Sequence, residues 1–131
     1  MGTKYLLDTN AIIEFLGGTL PTAANRWLEG IIDDDSHHVS IINKIELLGF
    51  NAPASEMIIL QDFIDCTTVI PLDDLVAAKT IELRKTHRIK LPDAVIASTA
   101  LVYDLQLITR NTGDFRHIAG LDVVNPAEIT A

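Results

Sequence analysis

Short apolar segments alternate with helix-sized segments from one end of this 131-residue chain to the other. Strands are expected at residues 4–7, 37–42, 67–70, 106–109 and 121–124. With helices in the segments between them, this alternation predicts an α/β fold in which helices cover both faces of a mostly parallel sheet. Because no linker, repeat or low-complexity segment interrupts the pattern, residues 1–131 are expected to form a single domain.

The segment that follows Pro92 is apolar on nearly every side of a helix, from Ala94 to Leu101. A helix without a polar face is typical of the centre of a fold. In open parallel sheets, ligands bind beyond the carboxyl ends of the strands, where the strand order reverses. Functional residues are therefore expected in the segments that directly follow the strands.

Composition argues against several classes of protein. Apolar residues make up 48% of the chain, which argues against intrinsic disorder. Cys66 is the only cysteine, so an intrachain disulfide cannot form, and a reducing compartment is consistent with this. The sequence shows neither the roughly 20 apolar residues that a membrane span needs nor a leader pattern, so a cytoplasmic protein without membrane contact is expected.

Four acidic residues lie where such a fold would place a site. Asp8 ends the first strand, and Glu46 lies in the expected first turn of the helix after the second strand. Asp93 lies in the first turn of the apolar helix, and Asp114 follows the strand that ends at Thr109, at the expected start of a short helix. All four are therefore expected at the same edge of the sheet.

Each acid also has a purely structural interpretation. Asp8 and Asp114 could cap helices, and Asp93 could be an acid favoured by the helix dipole. Glu46 differs, because its neighbours in the chain and one helical turn away are apolar, which makes an unpaired carboxylate costly there.

Taken together, the four carboxylates favour a metal site. Without interleaved basic partners they repel one another, and they stay ionised together only when cations neutralise them. Oxygen ligands of this kind suit Mg²⁺ or Mn²⁺ rather than zinc, and no cysteine–histidine cluster with ligand spacing competes. Such a site fits phosphodiester hydrolysis, in which one or two metal ions activate water and stabilise charge on the phosphoryl oxygens.

Four motifs of this chain resemble, in order, those of the PIN-domain family, and most of all the VapC ribonuclease toxins of type II toxin–antitoxin systems. They are residues 6–10 (LLDTN), 39–47 (VSIINKIEL), 91–97 (LPDAVIA) and 107–115 (LITRNTGDF). The resemblance implies a three-layer α/β/α sandwich and endoribonuclease activity with Mg²⁺ or Mn²⁺ as cofactor. It also implies a homodimer and a cognate antitoxin that places a basic side chain in the acidic pocket.

The resemblance assigns roles by position. It implies that the catalytic residues are Asp8, Glu46, Asp93 and Asp114, and that the metal ligands among them are Asp8, Asp93 and Asp114. It further implies that the supporting polar residues are Thr9, Asn10 and Asn111. One departure is Asn43, three residues before Glu46, where the family often has serine or threonine.

The charge distribution bears on how RNA would bind. The net charge of −8 argues against a broad basic face, yet six of the ten basic residues lie from position 84 onwards. The candidate substrate-binding residues among them are Arg84, Lys85, Arg88 and Arg110, which with Lys90 and Arg116 could form a basic rim. Alternatively, these residues are ordinary solvated surface charges.

The first two expected helices contain more apolar bulk than one buried face needs, including Ile13, Leu16 and Trp27. Most of these residues are expected in the core. Some of them, Trp27 especially, are hypothesised to line a groove for an antitoxin helix.

Three alternatives stay open from the sequence. A phosphatase of the haloacid-dehalogenase kind also begins with an aspartate after an apolar strand, but it needs a second aspartate where this chain has Asn10. A receiver-like signalling domain needs an aspartate on a middle strand and a lysine after a later one, but Pro71 and Arg110 follow the corresponding strands. The third alternative is a PIN-fold module that binds RNA or a partner without cleaving it.

Overall fold

The computed structural model describes residues 2–130, which form five strands and six α-helices, with two helices after each of the first three strands. The strands are β1 (Tyr5–Leu7), β2 (His37–Ser40), β3 (Thr68–Ile70), β4 (Gln106–Ile108) and β5 (Val123–Val124). The helices are α1 (Thr9–Gly17), α2 (Thr22–Asp33), α3 (Ile41–Leu48), α4 (Ala54–Asp65), α5 (Asp74–Thr86) and α6 (Leu91–Val102). Two single 3₁₀ turns cover Thr112–Asp114 and Pro126–Glu128.

The strands form one sheet in the order β3-β2-β1-β4-β5, and every neighbouring pair is parallel. The register places Leu7 of β1 opposite Ile108 of β4. The chain fills one half of the sheet with β1, β2 and β3 and then crosses to the other half, so the strand order reverses between β1 and β4. The predicted parallel sheet is confirmed.

Side chains of each strand alternate between the two faces of the sheet. Leu6 and Leu107 pack with α5 and α6 on one face, whereas Leu7 and Ile108 pack with α1, α2 and α4 on the other. All four are buried, and each contributes about 1.5–3 kcal/mol relative to an exposed position. The expected three-layer α/β/α sandwich is therefore confirmed.

Helix α6 lies at the centre of one layer, as its apolar pattern predicts. Every residue from Ala94 to Ala100 is buried, and the helix packs against α5 and the sheet. Pro92 lies in the first turn, where its missing N–H costs no helical hydrogen bond. None of the helices described in residues 2–130 is long and apolar enough to cross a bilayer.

Among the expected element boundaries that differ from the structure, two bear on the site. Strand β2 ends at Ser40 rather than at residue 42, because Ser40 and Asn43 form a capping box that starts α3 at Ile41. Glu46 consequently lies in the second helical turn, not the first. Asp114 ends a 3₁₀ turn instead of starting a helix, because its N–H bonds to the carbonyl of Asn111.

Candidate acidic active site

The candidate site lies at the carboxyl edge of the sheet, where the strand order reverses. Asp8 directly follows β1, and Thr109 directly follows β4. The two strand ends are joined by the backbone N–H of Asp8, which donates to the carbonyl of Ile108 at 2.9 Å. This is the position at which parallel sheets bind ligands.

Asp8 is the most firmly held of the four acids. Its Oδ1 accepts hydrogen bonds from the Thr9 backbone N–H (2.9 Å) and from Asn43 Nδ2 (3.2 Å), and its Oδ2 accepts from Thr109 Oγ1 (2.8 Å). The residue is 7% exposed and also caps α1. The structural interpretation of Asp8 as a helix cap is therefore correct without excluding a role in the site. Three donors hold its carboxylate in one orientation.

Asp93 experiences the charges of the other three acids. Burial raises the pKa of the Asp93 carboxyl above its usual value, and the negative charges of Asp114, Asp8 and Glu46 raise it further. Lys90, just before α6, offsets part of this shift. The structure thus brings together four carboxylates from four separate segments of the chain.

Glu46 is more exposed than its apolar neighbours in the sequence suggest. Although Leu47 is buried, Glu46 and Ile45 lie on the solvent side of α3, and Phe50 lies beyond the end of the helix. The expected cost of desolvating Glu46 is therefore wrong. Its Oε1 accepts a hydrogen bond of 2.7 Å from Thr9 Oγ1, which joins the start of α1 to α3.

The expected supporting residues contact the site or its frame. Asn111 Nδ2 donates to Asp114 Oδ2 at 2.6 Å, and Asn10 Nδ2 donates to Thr109 Oγ1 at 3.3 Å. Asn10 Oδ1 accepts from the backbone N–H of Arg110 at 3.1 Å. With the contacts of Thr9 described above, all three expected supporting side chains are hydrogen-bonded at this edge of the sheet.

The donor set suits a hard divalent cation, but the side chains do not form a ready ligand cage. Among residues 2–130, no three carboxylate, imidazole or thiolate side chains are grouped closely enough to hold a metal ion. Like charges repel, and Glu46 and Asp114 instead accept hydrogen bonds from their own neighbours. Both are exposed, so their side chains can rotate toward Asp8 and Asp93 without disturbing the core.

The four candidate substrate-binding residues differ in how their charges are engaged. Arg84, Lys85 and Arg88 are exposed around the carboxyl end of α5, with Arg84 Nη1 donating to the carbonyl of Ile89 at 2.7 Å. Arg110 is the exception, because its Nη1 lies 2.5 Å from Glu14 Oε2 in a salt bridge. Its charge is thus already paired within the protein.

Two residues of the site, Asn43 and Thr109, were not among the residues assigned to it from the sequence. Both side chains are fully buried and donate to Asp8. A capping-box position for Asn43 and a hydroxyl directly after a strand for Thr109 were the available signals. The structure also brings His87 and His117 together, with ring centroids 5.4 Å apart, although their sequence spacing suggested no relation.

Comparisons with known proteins identify the family. The family model described as PIN domain matches residues 5–121. The ribonuclease VapC10 of Mycobacterium tuberculosis is 31% identical over 115 residues, which is 84% of each chain.

Solved structures show the same fold. A toxin–antitoxin complex from Klebsiella pneumoniae is similar at 31% identity and a TM-score of 0.77, covering 94% of this chain and 98% of that one. FitAcB from Neisseria gonorrhoeae is similar at 31% identity and a TM-score of 0.76, covering 95% and 99%. VapBC2 from Rickettsia felis, at 23% identity and a TM-score of 0.79 over 94% and 98%, shares the fold. This chain belongs to the PIN-domain family and is related to the VapC ribonucleases.

Proposed function

We propose that this protein is a divalent-metal-dependent endoribonuclease and the toxin of a toxin–antitoxin pair. Asp8, Glu46, Asp93 and Asp114 are its catalytic acids, and residues 1–131 form one nuclease domain that works in the cytoplasm. The observation that carries the proposal is the hydrogen-bonded arrangement at the edge where the strand order reverses: three donors hold the Asp8 carboxylate, and Thr9, next to it in the chain, donates to Glu46. The effect of the charges of Asp8, Glu46 and Asp114 on Asp93 agrees with it. The related ribonuclease VapC10 supports RNA as the substrate.

Asp8, Asp93 and Asp114 would hold the metal ion, Mg²⁺ or alternatively Mn²⁺. When bound, the ion would lower the pKa of a water molecule and stabilise charge on the phosphoryl oxygens. The three hydrogen bonds on Asp8 hold its carboxylate in place before any ligand arrives. Glu46 Oε1 accepts from Thr9, so Oε2 stays free to orient the attacking water and accept its proton.

RNA would reach the acids across the exposed basic residues at the end of α5. Arg84, Lys85 and Arg88 are solvent-exposed and can contact phosphates without selecting a sequence. Arg110 contacts a phosphate only after it leaves Glu14, so its contribution to affinity is smaller than that of the exposed residues. The phosphatase and receiver-like alternatives are set aside, because the chain belongs to a different family.

The nuclease proposal is tested by incubating total RNA with Mg²⁺ or with EDTA. We expect discrete fragments from the wild type with Mg²⁺, none with EDTA, and none from an Asp8→Asn/Asp93→Asn variant. Asp62→Asn/Asp65→Asn, which neutralises two exposed acids of α4, is the matched control and should cleave normally. Cleavage that survives EDTA or the loss of both site acids would refute the proposal. A folded wild type that binds RNA without cutting it would indicate a binding module.

We place the antitoxin contact in an apolar groove between α1 and the start of α4. The groove has a volume of about 450 Å³, and its lining includes Ile13 and Leu16 of α1 together with Phe50 and Ile59. The similar Klebsiella structure is a toxin–antitoxin complex, and an amphipathic segment is the occupant that such a groove suits. Trp27, the residue hypothesised from the sequence, packs edge-on against Tyr5 and is absent from this lining.

The groove is tested with Ile59→Arg, which places a charge in it from an exposed position. We expect this variant to cleave RNA normally and to lose antitoxin binding in a titration with the purified antitoxin. Trp27→Ala should bind the antitoxin like the wild type. If Trp27→Ala loses antitoxin binding and Ile59→Arg keeps it, the antitoxin binds on the Trp27 side of the fold instead.

We place the homodimer interface on the other face of the sheet from the groove, where α5 presents apolar side chains to solvent. Leu75 is 67% exposed and Ile81 is 58% exposed, and Leu91 at the start of α6 is 56% exposed. A second copy of the chain that covers these residues would remove them from water. Sedimentation of Leu75→Glu/Ile81→Glu should give a monomer where the wild type gives a dimer.

A further inference from the structure

Asn43 occupies an unusual place, because one buried amide contacts three different parts of the fold. It is the third residue of α3 and is 0% exposed. Its Oδ1 accepts from the backbone N–H of Ser40 at 3.0 Å. Its Nδ2 donates to Asp8 Oδ1 at 3.2 Å and to Thr9 Oγ1 at 3.1 Å. All hydrogen-bonding atoms of the amide therefore face partners.

The direction of every bond in this group follows from its partners. The Ser40 backbone N–H can only donate, so the amide oxygen of Asn43 must face it and the NH₂ group must face Asp8 and Thr9. Thr9 Oγ1 accepts from Asn43, which leaves the hydroxyl proton to donate to Glu46 Oε1 at 2.7 Å. Donation thus runs from a backbone N–H through Asn43 to two carboxylates.

We propose that Asn43 is a positioning residue that orients Asp8 directly and Glu46 through Thr9, and so couples the two acids. This rests on the proposed function, in which these carboxylates serve the metal ion and the attacking water. A hydrogen bond to an ionised carboxylate is stronger than a hydrogen bond between two neutral groups. Loss of such supporting hydrogen bonds typically costs about 10–100-fold in metal affinity or activity.

The amide is needed because the position requires two donors and one acceptor. A serine or threonine hydroxyl has a single proton, so it can donate to Asp8 or to Thr9 but not to both. Because Asn43 acts on Glu46 through Thr9, a hydroxyl at position 43 would keep only one of the two donations and leave either Asp8 or Thr9 without its donor from this position. Asn43→Thr therefore removes one of the two donations, and Asn43→Ala removes both.

The matched control separates positioning from helix capping. Ser40→Ala removes the hydroxyl that accepts from the Ile42 N–H, at a cost of about 1 kcal/mol of stability. It keeps the Ser40 backbone N–H that orients Asn43. Both variants weaken the start of α3, but only Asn43→Ala removes donors from the acids.

The first readout needs neither metal nor RNA. Carboxylate carbon resonances of Asp8 and Glu46 are measured by ¹³C NMR at neutral pH. We expect both to shift in Asn43→Ala, neither to shift in Ser40→Ala, and only one to shift in Asn43→Thr. The inference is overturned when the Glu46 resonance does not respond to Asn43→Ala, or when Ser40→Ala moves both resonances equally.

The second readout is Mn²⁺ affinity, measured by electron paramagnetic resonance without RNA. We expect binding to be about tenfold weaker in Asn43→Ala and within twofold of wild type in Ser40→Ala. Single-turnover cleavage should slow in the same order with an unchanged KM for RNA. Equal losses in the two variants would show a purely structural role. A wild type that binds no Mn²⁺ would refute the metal proposal, and the NMR result would still decide the role of Asn43.

Discussion

Thr109→Val removes one hydroxyl from the most buried part of the site and keeps the shape of the side chain. Thr109 is 0% exposed, and its Oγ1 donates to Asp8 Oδ2 at 2.8 Å. The same oxygen accepts from the Asn111 backbone N–H at 3.0 Å and from Asn10 Nδ2 at 3.3 Å. Valine fills the same space, so the substitution creates no cavity that would add to the loss of stability. All three hydrogen bonds of the hydroxyl are lost.

The expected cost follows from the bond to Asp8. A hydrogen bond to a charged group contributes about 1.5–3 kcal/mol, and Asp8 is too buried to recover a water in its place. Asn10 and Asn111 are less buried and can bond to solvent instead. We therefore expect a loss of about 2.5 kcal/mol in the free energy of unfolding. With an unfolding entropy of about 2.1 cal/mol/K per residue, this lowers Tm by about 9 °C.

Urea unfolding of metal-free protein measures this loss, and Thr99→Val is the matched control. Thr99 is 1% exposed, but its Oγ1 donates only to the Val95 carbonyl one helical turn away, which keeps its backbone partner. Thr99→Val should cost less than about 1 kcal/mol. In an Asp8→Asn background, the cost of Thr109→Val should shrink by at least about 0.5 kcal/mol. Equal costs for the two valine variants would refute the reasoning.

Two further predictions concern pH and charge. Asp93→Asn should stabilise the metal-free protein at neutral pH, because the raised pKa of Asp93 makes its ionised form a penalty to folding. The difference in stability between the variant and the wild type should vanish in acid, as pH falls through the raised pKa of folded Asp93 toward its pKa in the unfolded chain. Urea unfolding that shows no stabilisation at neutral pH would contradict this. Burial lowers the pKa of His37, with Asp35 partly opposing, so stability should fall as pH drops below about 6.5, where the unfolded chain takes up a proton. His37→Gln should flatten that slope, and an unchanged thermal-melt profile would exclude His37 as its source.

Patterns of apolar residues along the chain were sufficient to predict the fold. The apolar alternation predicted every strand of the parallel sheet, and the nonpolar surface of α6 predicted its central burial. These features depend on neighbours along the chain, because a strand or helix must bury its apolar side chains wherever it lies. The errors fall at element ends such as Ser40 and Asp114, where one side-chain or turn hydrogen bond decides the boundary.

The site was only partly accessible from the sequence. The order of motifs and the sheet-edge rule pointed to Asp8, Glu46, Asp93 and Asp114, and their mutual influence appears in the pKa of Asp93. The environment of Glu46 was misjudged, because apolar neighbours in the chain do not reveal which side of a helix faces solvent.

The sequence by itself determined the α/β class, the parallel sheet and the edge at which the acids would lie, because these follow from periodicity and from where each strand ends. Only the tertiary structure decided which side chains support the acids. Asn43 and Thr109 reach Asp8 from positions 35 and 101 residues away along the chain. A hydrogen bond requires atoms within about 3 Å of each other. Pairing of β4 with β1 and packing of α3 against α1 create that proximity, which cannot be inferred from the residues near Asp8 in the sequence.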